Sequence, residues 1–300
     1  MPTRQTVSLL KAPFDLGAGT RGSCLGPEAI LHAGLIERLE ALGHTVLSEP
    51  SLPSPRKGVV FSNLPLLNLP QTVSFNRYLA SAVHKAVAKG HFPLLLGGDH
   101  SLAIGSLAGL ALNGRQPGVL WIDAHADLNT EATSPTGNIH GMSLAASLGF
   151  GHPHLTGLRP PSPKLDPARV VLVASRDLDP GEREFIRRTG IRCFTMQDID
   201  RWGMGTVMEE AIATAGSGPD GIHLSFDVDS VDPSAAPGTG TVVPGGLTVR
   251  EARMAMEMLQ ESGLVSSADF VEVNPLLDLR NQTAELAVDL IAALLGERLL

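Results

Sequence analysis

The chain has 300 residues, 43% of them hydrophobic and only 4% aromatic, with a formal net charge of −8 and a pI near 5.7. That negative balance argues against nucleic acid as the main partner, and no stretch approaches the roughly 20 apolar residues of a membrane span. Cys24 and Cys193 are too few and too scattered for a disulfide framework or a cysteine-built zinc site.

A chain of this length can bury roughly 75% of its unfolded surface, so it needs no disulfide staples. Sparse cysteine fits a reducing compartment. The first residues, Met1 to Thr6, lack the apolar core of a signal peptide. The expectation is a soluble, cytoplasmic protein.

In chain order, Val7–Leu10 reads as the first strand, followed by a Gly-rich loop over Asp15–Gly26. A helix is expected from Pro27 to about Leu42, with Pro27 in its first turn. Gly17-Ala18-Gly19-Thr20-Arg21-Gly22 matches the dinucleotide-binding fingerprint in letters only. Residues intervene on both sides of it, and no acidic strand end follows at the distance that reads a ribose. Ser48–Gln71 is Pro-rich and irregular around a short strand, Gly58–Phe61. Thr72–Lys89 is helical, Phe92–Leu96 a strand, and Leu102 to about Leu112 a helix. Gly118–Ile122 is the next strand. Leu128–His140 is a long loop of the kind that is usually functional, and His152–Pro167 is a Pro-rich excursion.

Val170–Ala174 is a strand ending at Ser175-Arg176-Asp177-Leu178-Asp179. Helix Gly181–Arg188, strand Arg192–Thr195 and a helix over about Gly205–Ala215 follow. After strand Gly221–Phe226 comes a turn-rich stretch, Ser234–Gly246. Thr248–Gln260 is helical, with Thr248 as N-cap and Glu251 completing a capping box. Ala268–Val273 is the last strand, and Thr283 to about Leu295 the last helix.

Strands alternate with helices, and several strands are unbroken apolar runs. That pattern implies a parallel sheet covered on both faces. The fold class is therefore α/β, a three-layer α/β/α sandwich with a mainly parallel central sheet, in one domain spanning residues 1–300.

In such sheets ligands bind beyond the carboxyl ends of the strands. Three strands end in potential metal ligands: Gly97-Gly98-Asp99-His100-Ser101, Asp123-Ala124-His125-Ala126-Asp127 and Asp227-Val228-Asp229. Alternate residues of an extended chain point to one side, so Asp123, His125 and Asp127 can converge on one point. Three polar residues after a strand are more often a solvated loop, and Asp227-Val228-Asp229 could open a calcium loop. The calcium loop fails because Asp232 and Gly238 stand where its glycine and closing glutamate belong. Taken together, two His and four Asp suit two divalent ions, whose four positive charges offset the four carboxylates. Carboxylate plus imidazole without thiolate favours Mn²⁺, with Ni²⁺, Co²⁺ and Fe²⁺ also open.

These three stretches, with Ser230-Val231-Asp232-Pro233 extending the third, resemble the signatures of the ureohydrolase family in order and spacing. The likeness runs from Ala12-Pro13-Phe14 to Arg280-Asn281-Gln282-Thr283-Ala284-Glu285, and its loop Asp127–Gly141 is similar to the arginase branch. The resemblance implies an arginase/deacetylase-like fold, two Mn²⁺ per chain, a homotrimer or homohexamer, and hydrolysis of L-arginine to L-ornithine and urea by a hydroxide bridging the ions. Another guanidino substrate, as in guanidinobutyrases or agmatinases, is the alternative; a binding protein with a disabled site is the rival class. On this reading Asp123 and Asp227 bridge the ions, His100 and Asp127 complete one, and His125 and Asp229 the other.

By the same resemblance Asn129 and Thr136 hold the substrate α-carboxylate and Asp179 its α-amino group, with Glu182 assisting through water. Thr136 departs from the serine usual in arginases, keeping the hydroxyl and adding a methyl. Glu272 can accept a bidentate pair from the guanidinium. His140 suits a general acid for the departing amine, and Thr241 contacts the substrate or the metal-bound groups. His152, His154 and His223 read as surface or packing residues.

Overall fold

The computed structural model describes residues 4–53, 66–158 and 165–298. Eight strands form one sheet: β1 (Thr6–Ala12), β2 (Thr45–Ser48), β3 (Phe92–Gly97), β4 (Gly118–Ile122), β5 (Val170–Ser175), β6 (Arg192–Thr195), β7 (Ile222–Asp227) and β8 (Val265–Val271). Their order is β2-β1-β3-β8-β7-β4-β5-β6, and every pairing is parallel.

Side chains alternate across the sheet and feed two cores. Leu94, Leu96, Leu120, Ile122, Leu224 and Phe226 face one core, shared with helices Met204–Ala215, Val249–Ser262 and Gln282–Leu294. Leu95, Val119, Trp121 and Leu172 face the other, packed against helices Leu69–Ala88 and Ala103–Ala111. β3, β4, β5 and β7 are buried along their whole length. Burial on both faces is why they read as continuous apolar runs.

The connectivity decides which strand ends become neighbours. The chain lays down β3, then skips to β4, and only later inserts β7 and β8 between them. The four central strands β3-β8-β7-β4 therefore come from two remote parts of the sequence, 92–122 and 222–271, and their carboxyl ends lie side by side.

Several expectations are refined. The helix expected over Pro27–Leu42 is two, Gly26–His32 and Leu35–Ala41, broken where Gly34 takes a left-handed conformation at φ +89. Helix Leu69–Ala88 begins three residues earlier than Thr72, using Pro70 in its first turn. The expected strand Gly58–Phe61 lies outside the described residues. An unexpected strand, β2, occupies the sheet edge; it is too exposed to carry a buried apolar pattern. Helix Met196–Trp202 is also additional, opened by a capping box between Thr195 and Asp198. The capping box of Thr248 and Glu251 forms as the residues suggest.

Gly98 marks the tightest approach near the sheet's carboxyl end. A Cβ there would stand 1.6 Å from the Phe14 carbonyl oxygen. That oxygen accepts from Asp99 N at 2.9 Å, while Gly98 itself donates to Ala12 O and accepts from Glu272 N. The loop after β1 and the end of β8 are stitched together through this glycine. Gly98→Ala should lower stability by about 3 kcal/mol, the upper range for overpacking, read as a lower urea midpoint. An unchanged midpoint would show that the contact yields.

Candidate metal centre and substrate cavity

Beyond the central strands lies a cavity of about 330 Å³, lined by His125, Asp127, Asn129, His140, Asp179 and Glu272 among others. Thr136, Glu182, Asp227, Asp229 and Thr241 also line it. Among the described residues no lysine or arginine does, so the cavity presents a field that favours cations.

At its floor, His100 follows β3 and is almost wholly buried. Its ring stacks on Trp121 with centroids 4.1 Å apart, and its Nε2 pairs with Ser225 Oγ at 2.7 Å. Those contacts aim Nδ1 at three carboxylates: Asp123 Oδ2 at 3.1 Å, Asp127 Oδ2 at 3.2 Å and Asp227 Oδ2 at 3.2 Å. His125 directs its Nδ1 to Asp229 Oδ2 at 3.1 Å and Asp123 Oδ1 at 3.4 Å. Two compact ligand groups result, His100–Asp123–Asp227 and Asp123–His125–Asp229, with donor atoms within 4.8 Å of one another in each. Asp123 belongs to both. Asp127 borders the first group, held by Ser143 Oγ, which donates to its Oδ2 at 3.1 Å.

The residues fit divalent ions. His100 Nδ1 is buried with no hydrogen-bond partner, a costly state that a cation between it and the carboxylates relieves. The donor set, imidazole and carboxylate, is the one that hard or borderline divalent ions accept.

Electrostatics in the cluster follow from crowding. Burial opposes charge on His100 and His125, yet the close carboxylates, Asp123 with Asp227 beside one and Asp229 beside the other, raise both imidazoles well above their ordinary range. Asp123 has burial against it but is held far below the carboxylate range by its two histidines. Burial and the Asp123 charge push Asp127 up to about 8. Burial likewise raises Asp229 to about 6, with Asp123 adding to it, and lifts Asp227 well above its usual value.

On the cavity wall, His140 Nδ1 lies 3.0 Å from Glu272 Oε1. Burial disfavours the imidazolium, but that hydrogen bond and the Glu272 charge raise the His140 pKa to about 9. The same Oε1 accepts from His100 N at 2.9 Å, so Oε2 is the Glu272 oxygen left for a ligand.

Across the mouth, Asn129 Nδ2 donates to Asp179 Oδ2 at 2.8 Å. Glu182 is buried, and both its oxygens accept backbone N–H groups, from Leu128 at 3.0 Å and Asp179 at 2.9 Å. It ties the Asn129 loop to the Asp179 turn. Thr136 is exposed on the rim, its Oγ1 accepting from Asn138 N at 3.2 Å. Thr241 is likewise exposed where it lines the cavity.

His223 is buried, paired with Ser267 Oγ at 2.9 Å, and stands apart from this group; His152 caps the short helix Pro153–Thr156. The Gly17–Gly22 loop serves the site differently from a nucleotide fingerprint: Gly17 O accepts from His140 N, and Gly17 N donates to Asp99 Oδ2 at 2.7 Å. The sequence alone does not single out the supporting residues Asp99, Ser143, Arg176 and Ser225, nor Asp177 on the cavity wall. Only Asp99 and Ser225 carry a signal there, flanking His100 and Asp227 at strand ends.

The family model described as "Arginase family" matches residues 5–296. The arginase of Bacillus caldovelox is 52% identical over 296 residues, covering 98% of this chain and 99% of its own. The arginase of Bacillus subtilis (strain 168) is 49% identical over 296 residues, covering 99% of each. The solved structure of the Bacillus caldovelox arginase superposes with a TM-score of 0.95 at 51% identity, over 99% of this chain and 100% of that one.

The raised pKa values set a pH dependence. Crowding of the carboxylates raises His100, His125 and Asp127 above their ordinary values, so each holds its proton more tightly than a free side chain. An ion needs those lone pairs, so binding releases protons. Affinity for Mn²⁺ should therefore rise from pH 6 to pH 9, and calorimetric titrations in buffers of different ionisation enthalpy should show proton release. An affinity independent of pH, with no proton release, would contradict the ligand assignment.

Proposed function

The chain belongs to the arginase family, and we infer that it hydrolyses L-arginine to L-ornithine and urea. The observation that carries this reading is full-length identity near one half to arginases, in a chain whose strand ends gather His and Asp around one acidic cavity. It is a hydrolase acting on a linear amidine.

We propose two divalent ions, held by His100, Asp123, His125, Asp127, Asp227 and Asp229, with manganese as the physiological metal. Ions held there would supply a nucleophile at neutral pH by lowering the pKa of water. The remaining roles fall to the protein. Glu272 Oε2 accepts the substrate guanidinium, which stays charged at any ordinary pH. Asp179 faces the α-amino group, and Asn129 and Thr136 the α-carboxylate, with Thr241 contacting the substrate or the metal-bound groups. Glu182 keeps Asn129 and Asp179 at a fixed separation through its two backbone contacts. His140, charged and hydrogen-bonded through Nδ1 to Glu272, delivers its Nε2 proton to the departing ornithine amine.

We further propose one domain over residues 1–300, assembled as a homotrimer or homohexamer and working in the cytoplasm. Family membership supports the assembly; two free cysteines, Cys24 and Cys193, are compatible with the compartment.

A urea-release assay with L-arginine, agmatine and guanidinobutyrate, with and without Mn²⁺, should show metal-dependent turnover of L-arginine. Preference for agmatine would instead remove the roles given to Asn129 and Thr136. His140→Asn should cut kcat by about 10²–10⁴-fold, the usual share of a general acid, while Mn²⁺ content stays at the wild-type level. In Glu272→Gln the His140 ring, followed by NMR, should titrate well below its value of about 9, toward roughly 6.5. A ring that still titrates near 9 would show that Glu272 does not hold its proton.

A further inference from the structure

Arg176 follows β5 and lines no part of the cavity, yet its guanidinium is spent entirely on backbone carbonyls around the metal centre. Nη2 donates to Asp229 O at 2.6 Å and Val243 O at 2.7 Å. Nη1 donates to Ser230 O at 3.0 Å and Ala174 O at 3.3 Å, and Nε to Val243 O at 3.1 Å. Three segments meet on one planar cation: the bulged end of β5, the turn carrying Asp229, and the loop that carries Thr241. The backbone of the same residue reaches a fourth, since Arg176 N and Asp177 N donate to Ala124 O at 2.8 and 3.0 Å. Ala124 sits between Asp123 and His125, and its own N donates to Asp229 Oδ1 at 3.2 Å.

We propose that Arg176 is a positioning residue that fixes the Asp123–His125–Asp229 ligand group, and that its loss weakens the ion held there selectively. This rests on the reading of the cluster as a two-ion site. The physical case has two parts. First, among the described residues no other single side chain satisfies carbonyls on both the Asp229 turn and the Thr241 loop, and a rigid five-donor fork does so without its own adjustment. Second, the guanidinium's own contacts fall on the Asp229 side, next to Asp123, which both groups share. His100, of the other group, takes its support from Ser225 and from stacking on Trp121, and neither contact involves Arg176. Gly246 is matched to the clamp, because a Cβ there would stand 2.6 Å from Arg176 Nη2.

Lysine keeps the charge but has one nitrogen in place of three and cannot reach all four carbonyls. Partners outside the ligand set typically change metal affinity by about 10–100-fold when lost. Mn²⁺ titration of dialysed Arg176→Lys, followed by calorimetry, should therefore show one ion weakened by about tenfold or more and the other within about threefold of wild type. Arg176→Gln serves as a second variant, and Ser225→Ala as the mirror control. Ser225→Ala combined with Arg176→Lys should weaken both ions, whereas either change alone weakens one. Kinetics give an independent readout: the Mn²⁺ concentration for half-maximal activity rises in Arg176→Lys, while KM for L-arginine at saturating Mn²⁺ moves less than kcat. Wild-type isotherms for both Arg176 variants, or equal weakening of both ions, would overturn the role. A wild-type protein binding fewer than two Mn²⁺ would instead overturn the two-ion reading itself.

Discussion

Mutual repulsion among buried carboxylates is the constraint around which this molecule is built. Asp123, Asp127, Asp227 and Asp229 are each at most 5% exposed, and they share one small volume with two imidazoles. Without positive charge among them, desolvation alone would keep most of them protonated. The architecture supplies that charge by juxtaposition. Because β7 and β8 are inserted between β3 and β4, residues far apart in sequence reach adjacent strand ends. A sheet with the strands in sequential order would have scattered the same ligands along its edge. The cluster is thus a property of the connectivity, and the two apolar cores hold that connectivity in register.

Gathering these side chains also demands unfavourable backbone. Asp127 and Glu272 adopt φ of +53 and +66, and Ala174, at the β5 bulge beside Arg176, adopts +72. Left-handed conformations in residues other than glycine cost about 1–3 kcal/mol each and persist only where the surroundings over-determine them. Here they are over-determined. The Asp127 carbonyl accepts from Leu144 N and Ala145 N, Glu272 N donates to Gly98 O, and Ala174 O accepts from Arg176. Each strained residue turns the chain at or beyond a strand end, away from the straight run of the sheet. Stability from the cores and geometry at the site are therefore opposed locally and reconciled by a few backbone hydrogen bonds.

What the amino-acid sequence reveals divides along the same line. The strands β3, β4, β5 and β7 are legible because burial on both faces leaves unbroken apolar runs, and the ligands are legible because each lies beyond such a run. β2 is not, since an exposed edge strand has no buried face to mark it. The break at Gly34 turns on one residue's backbone angle, which composition leaves open. The supporting residues are the least legible. Arg176 works through carbonyl groups, which every residue possesses, so no spacing of side-chain types announces it. Glu182 reads from the sequence as a substrate contact at one remove; its two oxygens prove to be engaged by backbone N–H groups, a role visible only once Leu128 and Asp179 are seen to converge on it.

In the proposed reaction, the pair His140–Glu272 ties substrate binding to proton delivery. Burial opposes the His140 imidazolium, but the Glu272 hydrogen bond outweighs it and raises the ring's pKa to about 9, above the range that suits an acid working at neutral pH. The guanidinium is itself a cation, and the oxygen open to it, Oε2, belongs to the same carboxylate. Its arrival places a second positive charge against Glu272 and weakens the carboxylate's hold on the ring. The imidazolium pKa must fall, because a like charge nearby disfavours the charged form. The ring is then brought toward the operating pH by the substrate whose leaving amine it is to protonate. On the proposed roles, one carboxylate serves both to hold the His140 proton and to receive the guanidinium.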